Sequence, residues 1–320
     1  MLLKYCLCFY QPLMSVHQPL LEKKQTTFLQ RHLGAIYMAI AAYGSSYITL
    51  GIKLLDREGV PVPQMLLMRN LLILLGLFGV NLHLKPQHGI LGPPKIRGLL
   101  LTRALVGNTS LLLSMVALTL LPLGDAVTLY LISPAITLWL SPIILNETFG
   151  AKEMIPLIMS TTGVLLVARP PFLFAHSSRS VENVLGMVLA IAGAIFSSTG
   201  DLLVRKIGGR AHLIHLIFYF SFVAFVPSSL WCILNKEMLV LCMPVAMHTL
   251  VMTLGALVAQ VFMARSLRIE KVSRIAPIVS LQLVFAFIND WLFFNITPPL
   301  PTLAAAGLIA LAAAVSSLTQ

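Results

Sequence analysis

Ten stretches of this chain are almost unbroken apolar runs of 18–25 residues: 33–55, 64–84, 98–121, 124–145, 151–168, 184–204, 212–234, 240–264, 274–294 and 300–318. A helix needs about 20 apolar residues to cross the hydrocarbon of a bilayer. Strands of a membrane barrel would instead alternate polar and apolar positions over about ten residues. The breaks between runs are short and carry turn residues, among them Pro61 and Pro63, Pro86, Pro93-Pro94, Pro170-Pro171, Gly208-Gly209 and Pro298-Pro299. Only Pro122-Leu123, with Gly124 and Asp125, divides the third run from the fourth. The pattern predicts an all-α polytopic membrane protein with ten transmembrane helices.

Composition agrees and removes the alternatives. The chain is 58% hydrophobic and 10% charged, where a soluble domain carries about 25% charged residues. Charge at 10% is too little to clothe a water-facing surface, so soluble enzyme, secreted module and disordered scaffold are set aside. The net charge of +11 does not point to nucleic acid, because the basic residues lie in breaks between apolar runs, where they orient a membrane protein. With the N-terminus inside, sixteen Lys and Arg fall on the inner side and five on the outer, and Arg69 lies within a span. Both termini are expected to be cytoplasmic, with residues 1–32 as a tail. Tyr10-Gln11-Pro12-Leu13 fits a sorting signal and Cys6 or Cys8 a lipidation site, although a plain tail accounts for them better. The four cysteines have no metal-ligand spacing, and no cofactor or metal is expected.

The longest gap, 169–183, marks a linker between two halves, 33–168 and 184–318. A shift of 152 residues sets Gly34 on Gly186, Ala42 on Ala194, Ser45-Ser46 on Ser197-Ser198, Leu50 on Leu202 and Lys53 on Arg205. Each half holds five spans, an odd number, so the second enters the membrane from the opposite side. Two inverted five-helix repeats are typical of secondary transporters, with the substrate site between them near the midplane.

Several segments carry a family resemblance. In the first half they are Pro63, Arg69, Ala117-Leu118, Ala126-Val127, Leu131-Ile132-Ser133-Pro134, Asn146-Glu147-Thr148-Phe149 and Gly163 through Val167. In the second they are Gly186 through Ser198, Val272 through Pro277, Leu281 through Phe287, Pro298 and Gly307-Leu308-Ile309. The chain resembles the EamA-type members of the drug/metabolite transporter superfamily, and its ninth span is most similar to the G-type branch of solute carrier family 35. The resemblance implies a carrier without naming its cargo. The family often has a Glu at the end of the ninth span, where this chain has Asn295.

Polar groups inside spans are functional candidates by default, because hydrocarbon penalises them. Arg69, about one turn into the second span, would clamp a carboxylate or phosphate, or else snorkel or pair with Asp125 or Asp290. Asn108, Gln260 and Gln282 would line a substrate path or bond between helices. Ser45, Ser46, Ser197 and Ser198 hold equivalent places in the two halves. Pro134 and Pro277 would kink their helices, and a kink at Pro134 would offer carbonyls to substrate. His248 is a lone histidine on the eighth span. Asp290 has no basic neighbour within a turn and is a candidate for ion coupling. Asp201 is a second, although Arg205 four residues on would serve as a local partner. The ladder Gly186, Ala190, Ala194, Ser198 and the alanine-rich tenth span read as tight helix contacts. Of the three N-x-S/T sequons, at Asn108, Asn146 and Asn295, none is expected to be glycosylated.

The function expected is a secondary transporter of a small polar or amphipathic metabolite, by alternating access and without a nucleotide-binding loop. Its partners would be a small-molecule substrate, the lipid bilayer and a second copy as a homodimer. An intramembrane acyl-transfer enzyme is an alternative, against which no HxxxxD, HExxH or GxSxG motif and no catalytic residue can be named. A non-transporting membrane sensor is another.

Overall fold

The computed structural model describes residues 32–84, 89–121, 129–130, 132–146, 150–168, 181–235, 242–295 and 300–318. The expected tail at 1–31, the linker at 169–180 and Asp125 lie outside the described residues. Among these, eleven α-helices follow one another without a strand: α1 Leu33–Arg57, α2 Val62–Leu84, α3 Arg97–Leu120, α4 Ser133–Leu145, α5 Ala151–Ala168, α6 Val181–Ile207, α7 Leu213–Leu234, α8 Met243–Ile269, α9 Val272–Val279, α10 Leu281–Phe294 and α11 Leu300–Leu318. Seven helical segments are long and apolar enough to cross a membrane, while Ser133–Leu145 and Thr302–Leu318 are apolar but shorter. Helix is the form that satisfies every backbone N–H and C=O within the segment, as a bilayer demands. Large apolar side chains lie outward, among them Phe78, Trp139, Leu254 and Ile143, the last 76% exposed. Hydrocarbon, not water, is the solvent for that surface.

The two halves interlock. α1 packs on α8, and α6 on α3, so the first helix of each half lies against the third of the other. Second meets second as α2 against α7, fourth meets fourth as α4 against α9, and fifth meets fifth as α5 against α11. Small residues make the close crossings, as expected where lipid tails remove the hydrophobic drive and packing decides. A Cβ on Gly44 would stand 2.7 Å from the Ala259 N and 2.9 Å from the Gly255 O, and one on Gly255 2.8 Å from the Gly44 O. The expected ladder on α6 does pack tightly at its start, since a Cβ on Gly186 would lie 2.7 Å from the Leu121 Cγ and 3.0 Å from the Leu120 Cβ. On α5, a Cβ on Gly163 would meet Ile309 of α11 at 2.6 Å.

The two noted prolines play different parts. Pro134 stands in the first turn of α4, where its missing N–H forfeits no helical bond, so it starts a helix and does not kink one. Pro277 lies inside α9, and the ninth span breaks three residues later at Ser280. There the chain turns more tightly, with the Leu283 N–H bonded to the Ser280 O at 3.0 Å. Proline alone does not break these helices, because α4, α5 and α7 continue through Pro142, Pro156 and Pro227. Two of the sequons prove to be helix ends. Asn146 after α4 and Asn295 after α10 are both left-handed, at φ 55° and 54°, a conformation that Asn tolerates better than other residues with a Cβ.

Candidate functional site

Buried polar side chains gather in two clusters, one toward the end of the bundle that holds Arg205 and one toward the end that holds Lys53. The first joins α3, α6, α7 and the segment before α4. Arg103 lies six residues into α3, about 9 Å along its axis, and is 7% exposed. Its guanidinium lies over the Phe220 ring of α7, 4.6 Å from the centroid, a cation–π contact that is strengthened by desolvation. Asp201 of α6 is in electrostatic reach of it. The Arg205 side chain donates to the Leu267 O at 2.9 Å, and the long-range charged neighbour of Asp201 is Arg103.

Hydroxyls extend this cluster toward the middle of the bundle. The Tyr130 hydroxyl is 3.3 Å from the Ser197 Oγ. The Ser110 Oγ donates to the Gly193 O at 2.7 Å. Ser198 is fully buried, and its Oγ reaches the Ser133 O and the Ala194 O, each at 2.8 Å. Asn108 uses its amide to donate to the Ala104 O at 2.8 Å and the Phe220 O at 3.1 Å. Asn108, Ser198 and Ser110 thus hold helices together. Ser197 and Tyr130 are half-buried.

The second cluster joins α1 and α10. The Lys53 Nζ bonds both Asp290 oxygens, at 2.6 and 2.7 Å, and the Arg57 guanidinium lies 4.1 Å from the centroid of the Phe294 ring. Asp290 therefore has a basic partner, supplied by a different helix. Beside Asp290, the Asn289 amide donates to the Ser46 Oγ at 3.0 Å, and that hydroxyl donates to the Tyr43 O at 2.7 Å. Ser46 and Ser198 occupy equivalent places, and each ties the first helix of its half to the fourth-span region of the other. Ser45 is half-buried and makes no such tie.

Arg69 is 5% exposed, seven residues into α2 or about 10 Å along its axis. It does not snorkel, and Asp290 is engaged by Lys53. Among the described residues, no acceptor meets its Nε or Nη2. Buried polar atoms of Gln64, Asn70, Ser221 and Thr249 are likewise unmet, as is the His248 Nδ1. Gln260 and Gln282 are half-buried and join neither cluster. No group of His, Cys, Asp and Glu among the described residues could hold a metal ion.

Sequence reasoning passed over Arg103, Tyr130, Ser221 and Thr249. Arg103 had a signal, since the rule that singled out Arg69 applies equally to a charge six residues inside the third span. The hydroxyls had none, because Ser and Thr are common in membrane helices.

The EamA-like transporter family model matches this chain twice, over residues 32–169 and 184–318. The human protein named solute carrier family 35 member G1 is 27% identical over 299 residues, covering 91% of this chain and 80% of its own length. The pseudopaline exporter CntI of Pseudomonas aeruginosa is 27% identical over 228 residues, covering 69% of this chain and 75% of its own. A yeast protein named as a probable transport protein is 23% identical over 304 residues, covering 87% and 86%. A crystal structure with 18% identity superposes with a TM-score of 0.72, covering 90% of this chain and 99% of that one, which shows a shared fold. Each of the three named relatives is named for transport, and none for enzymatic chemistry. With two family matches spanning most of its length and polar clusters between apolar helices, this integral, multi-pass membrane chain belongs to the EamA-like transporter family.

Proposed function

We propose that the chain is a secondary transporter that moves a small polar or amphipathic metabolite by alternating access. Its moving parts are two inverted repeats, 33–168 and 184–318, which together make ten spans. Residues 1–32 form the cytoplasmic tail and 169–183 the linker, and the sixteen-to-five charge bias puts both termini in the cytoplasm. The observation that carries this reading is the exchange of partners between halves: α1 on α8 mirrors α6 on α3. A rocking motion needs two related bodies that meet through equivalent surfaces around one site. The Lys53–Asp290 pair at one end is an ionic latch across that seam, between the first helix of one half and the fourth span of the other.

The test is uptake by proteoliposomes holding the full chain, with a mixture of metabolites read by mass spectrometry. Lys53→Cys and Asp290→Cys would be combined after the native cysteines are replaced by serine. Oxidation should close the latch covalently and stop flux of whatever solute crosses, and reduction should restore it. Flux that continues through the cross-linked protein, or no solute crossing in any state, would remove alternating access at this seam.

A further inference from the structure

Arg69 carries a cost that nothing in the described structure offsets. A guanidinium keeps its proton in proteins, so it cannot become neutral in its buried position. Burying a charge without a partner is strongly unfavourable, and the residue persists on α2 with Nε and Nη2 both unmet.

Its surroundings are shaped like a site. Ile73, Ile217 and Ala256 pack together where α2, α7 and α8 converge. Nearer the Lys53 end, Met65, Met68, Val245 and Met252 form the next cluster. Arg69 stands on α2 between these two clusters. On α7, Ser221 follows Ile217 by one turn on the same face, and on α8, Thr249 lies between Val245 and Met252. Both are buried and neither hydroxyl has a partner. Asn70 flanks Arg69, giving its amide to the Leu66 O at 2.8 Å while its Oδ1 is unmet. The three helices that converge at these clusters thus carry a buried cation, two hydroxyls and an amide oxygen, all with unmet atoms among the described residues. No carboxylate among the described residues answers the charge.

We propose that Arg69, with Ser221, Thr249 and Asn70, binds the carboxylate group of the transported solute, so that the cargo class is small organic carboxylates. This rests on the transport reading above. The guanidinium fork offers two parallel N–H groups, which a planar carboxylate accepts as a pair. One negative charge against one positive leaves the buried site neutral, whereas a phosphate dianion would leave it negative. The two hydroxyls donate to the remaining carboxylate lone pairs. The Asn70 Oδ1 accepts from a hydroxyl or amine beside the carboxylate. Met65, Met68 and Met252 give an adaptable apolar wall for the rest of the solute.

The experiment is thermal unfolding of the purified full chain in detergent, for wild type, Arg69→Gln and Ser221→Ala. The probes are sodium lactate, sodium benzoate, inorganic phosphate, glucose and choline chloride, at matched ionic strength. Lactate or benzoate should raise the wild-type melting temperature by several degrees more than phosphate does. The shift should vanish in Arg69→Gln and shrink in Ser221→Ala. Without any probe, Arg69→Gln should melt at or above the wild type, because an unanswered charge has been removed. The proposal is overturned if neither carboxylate shifts the wild type, if Arg69→Gln keeps the full shift, or if unliganded Arg69→Gln melts several degrees lower. Proteoliposome flux separates the two readings. Carboxylate binding through Arg69 without flux would end the transport reading alone, and flux of glucose or choline without carboxylate binding would end this one alone.

Discussion

Arg69 and Arg103 are the same residue type, buried to the same degree, each about two turns inside a helix. Arg103 has Phe220 beneath its guanidinium and Asp201 within electrostatic reach, which offset its charge although its Nε and Nη1 meet no acceptor among the described residues. Among the described residues Arg69 has neither, and its Nε and Nη2 meet no acceptor. A buried charge that is answered belongs to the architecture. One that is left open belongs to a ligand. The two arginines should therefore respond in opposite directions when their surroundings are changed.

The widest separation comes from Asp201→Ala. Removing the carboxylate takes away the charge in electrostatic reach of Arg103, and the protein should lose about 1–2 kcal/mol, less than when one partner of a fully buried, bonded pair is deleted. Denaturant unfolding in detergent would read it, and Arg103→Leu added to Asp201→Ala should recover part of the loss. Equal loss in the double variant would show that Asp201 acts on something other than Arg103.

Arg69→Leu should move the other way, with a gain of about 1–2 kcal/mol in the absence of ligand. A loss of similar size would place Arg69 in the architecture beside Arg103 and erase the contrast between them.

The helix ends supply a control for the two ends of the bundle. Asn146→Val and Asn295→Val each force a β-branched residue into a left-handed turn, at a cost of about 1–2 kcal/mol. Glycine at either place should be nearly neutral by the same measurement. An asymmetric result would show that one end tolerates refolding of its cap better than the other.

Lys53→Ala is the smallest step. The pair is partly exposed, with side chains 45% and 21% accessible, and such pairs contribute about 0.5 kcal/mol. Stability should barely change while proteoliposome flux does, because a latch acts on the balance between states.

The sequence revealed much of the scaffold and less of the site. Apolar run length predicted the helices, and the Ser45-Ser46 and Ser197-Ser198 register located an equivalence that the structure uses at Ser46 and Ser198. Which of two adjacent serines faces a neighbour depends on helix rotation, about 100° per residue, and the run pattern is blind to it in helices that are apolar all round. Asp201 shows the second limit. Four-residue spacing pointed to Arg205, which also bonds the Leu267 carbonyl, whereas Arg103 comes from a helix nearly a hundred residues earlier. Lys53 and Asp290 are 237 residues apart, so no local rule joins them. Arg69 and Arg103 were both legible as buried charges, because a charge in an apolar run stands out wherever its partner lies.

The exchange of partners between halves sets the order in which the protein can be made. The small-residue face of α1 is shaped for α8, with Gly44 against Gly255 and Gly51 against Met252. Ribosomes add about 5–20 residues per second, so α1 enters the bilayer roughly 10–40 s before its mate exists. Through that interval its closest-fitting surface is solvated by lipid alone. The first half is then a set of inserted helices awaiting partners, and a ribosome that stalls after α5 leaves behind a fragment whose best interfaces have no one to meet.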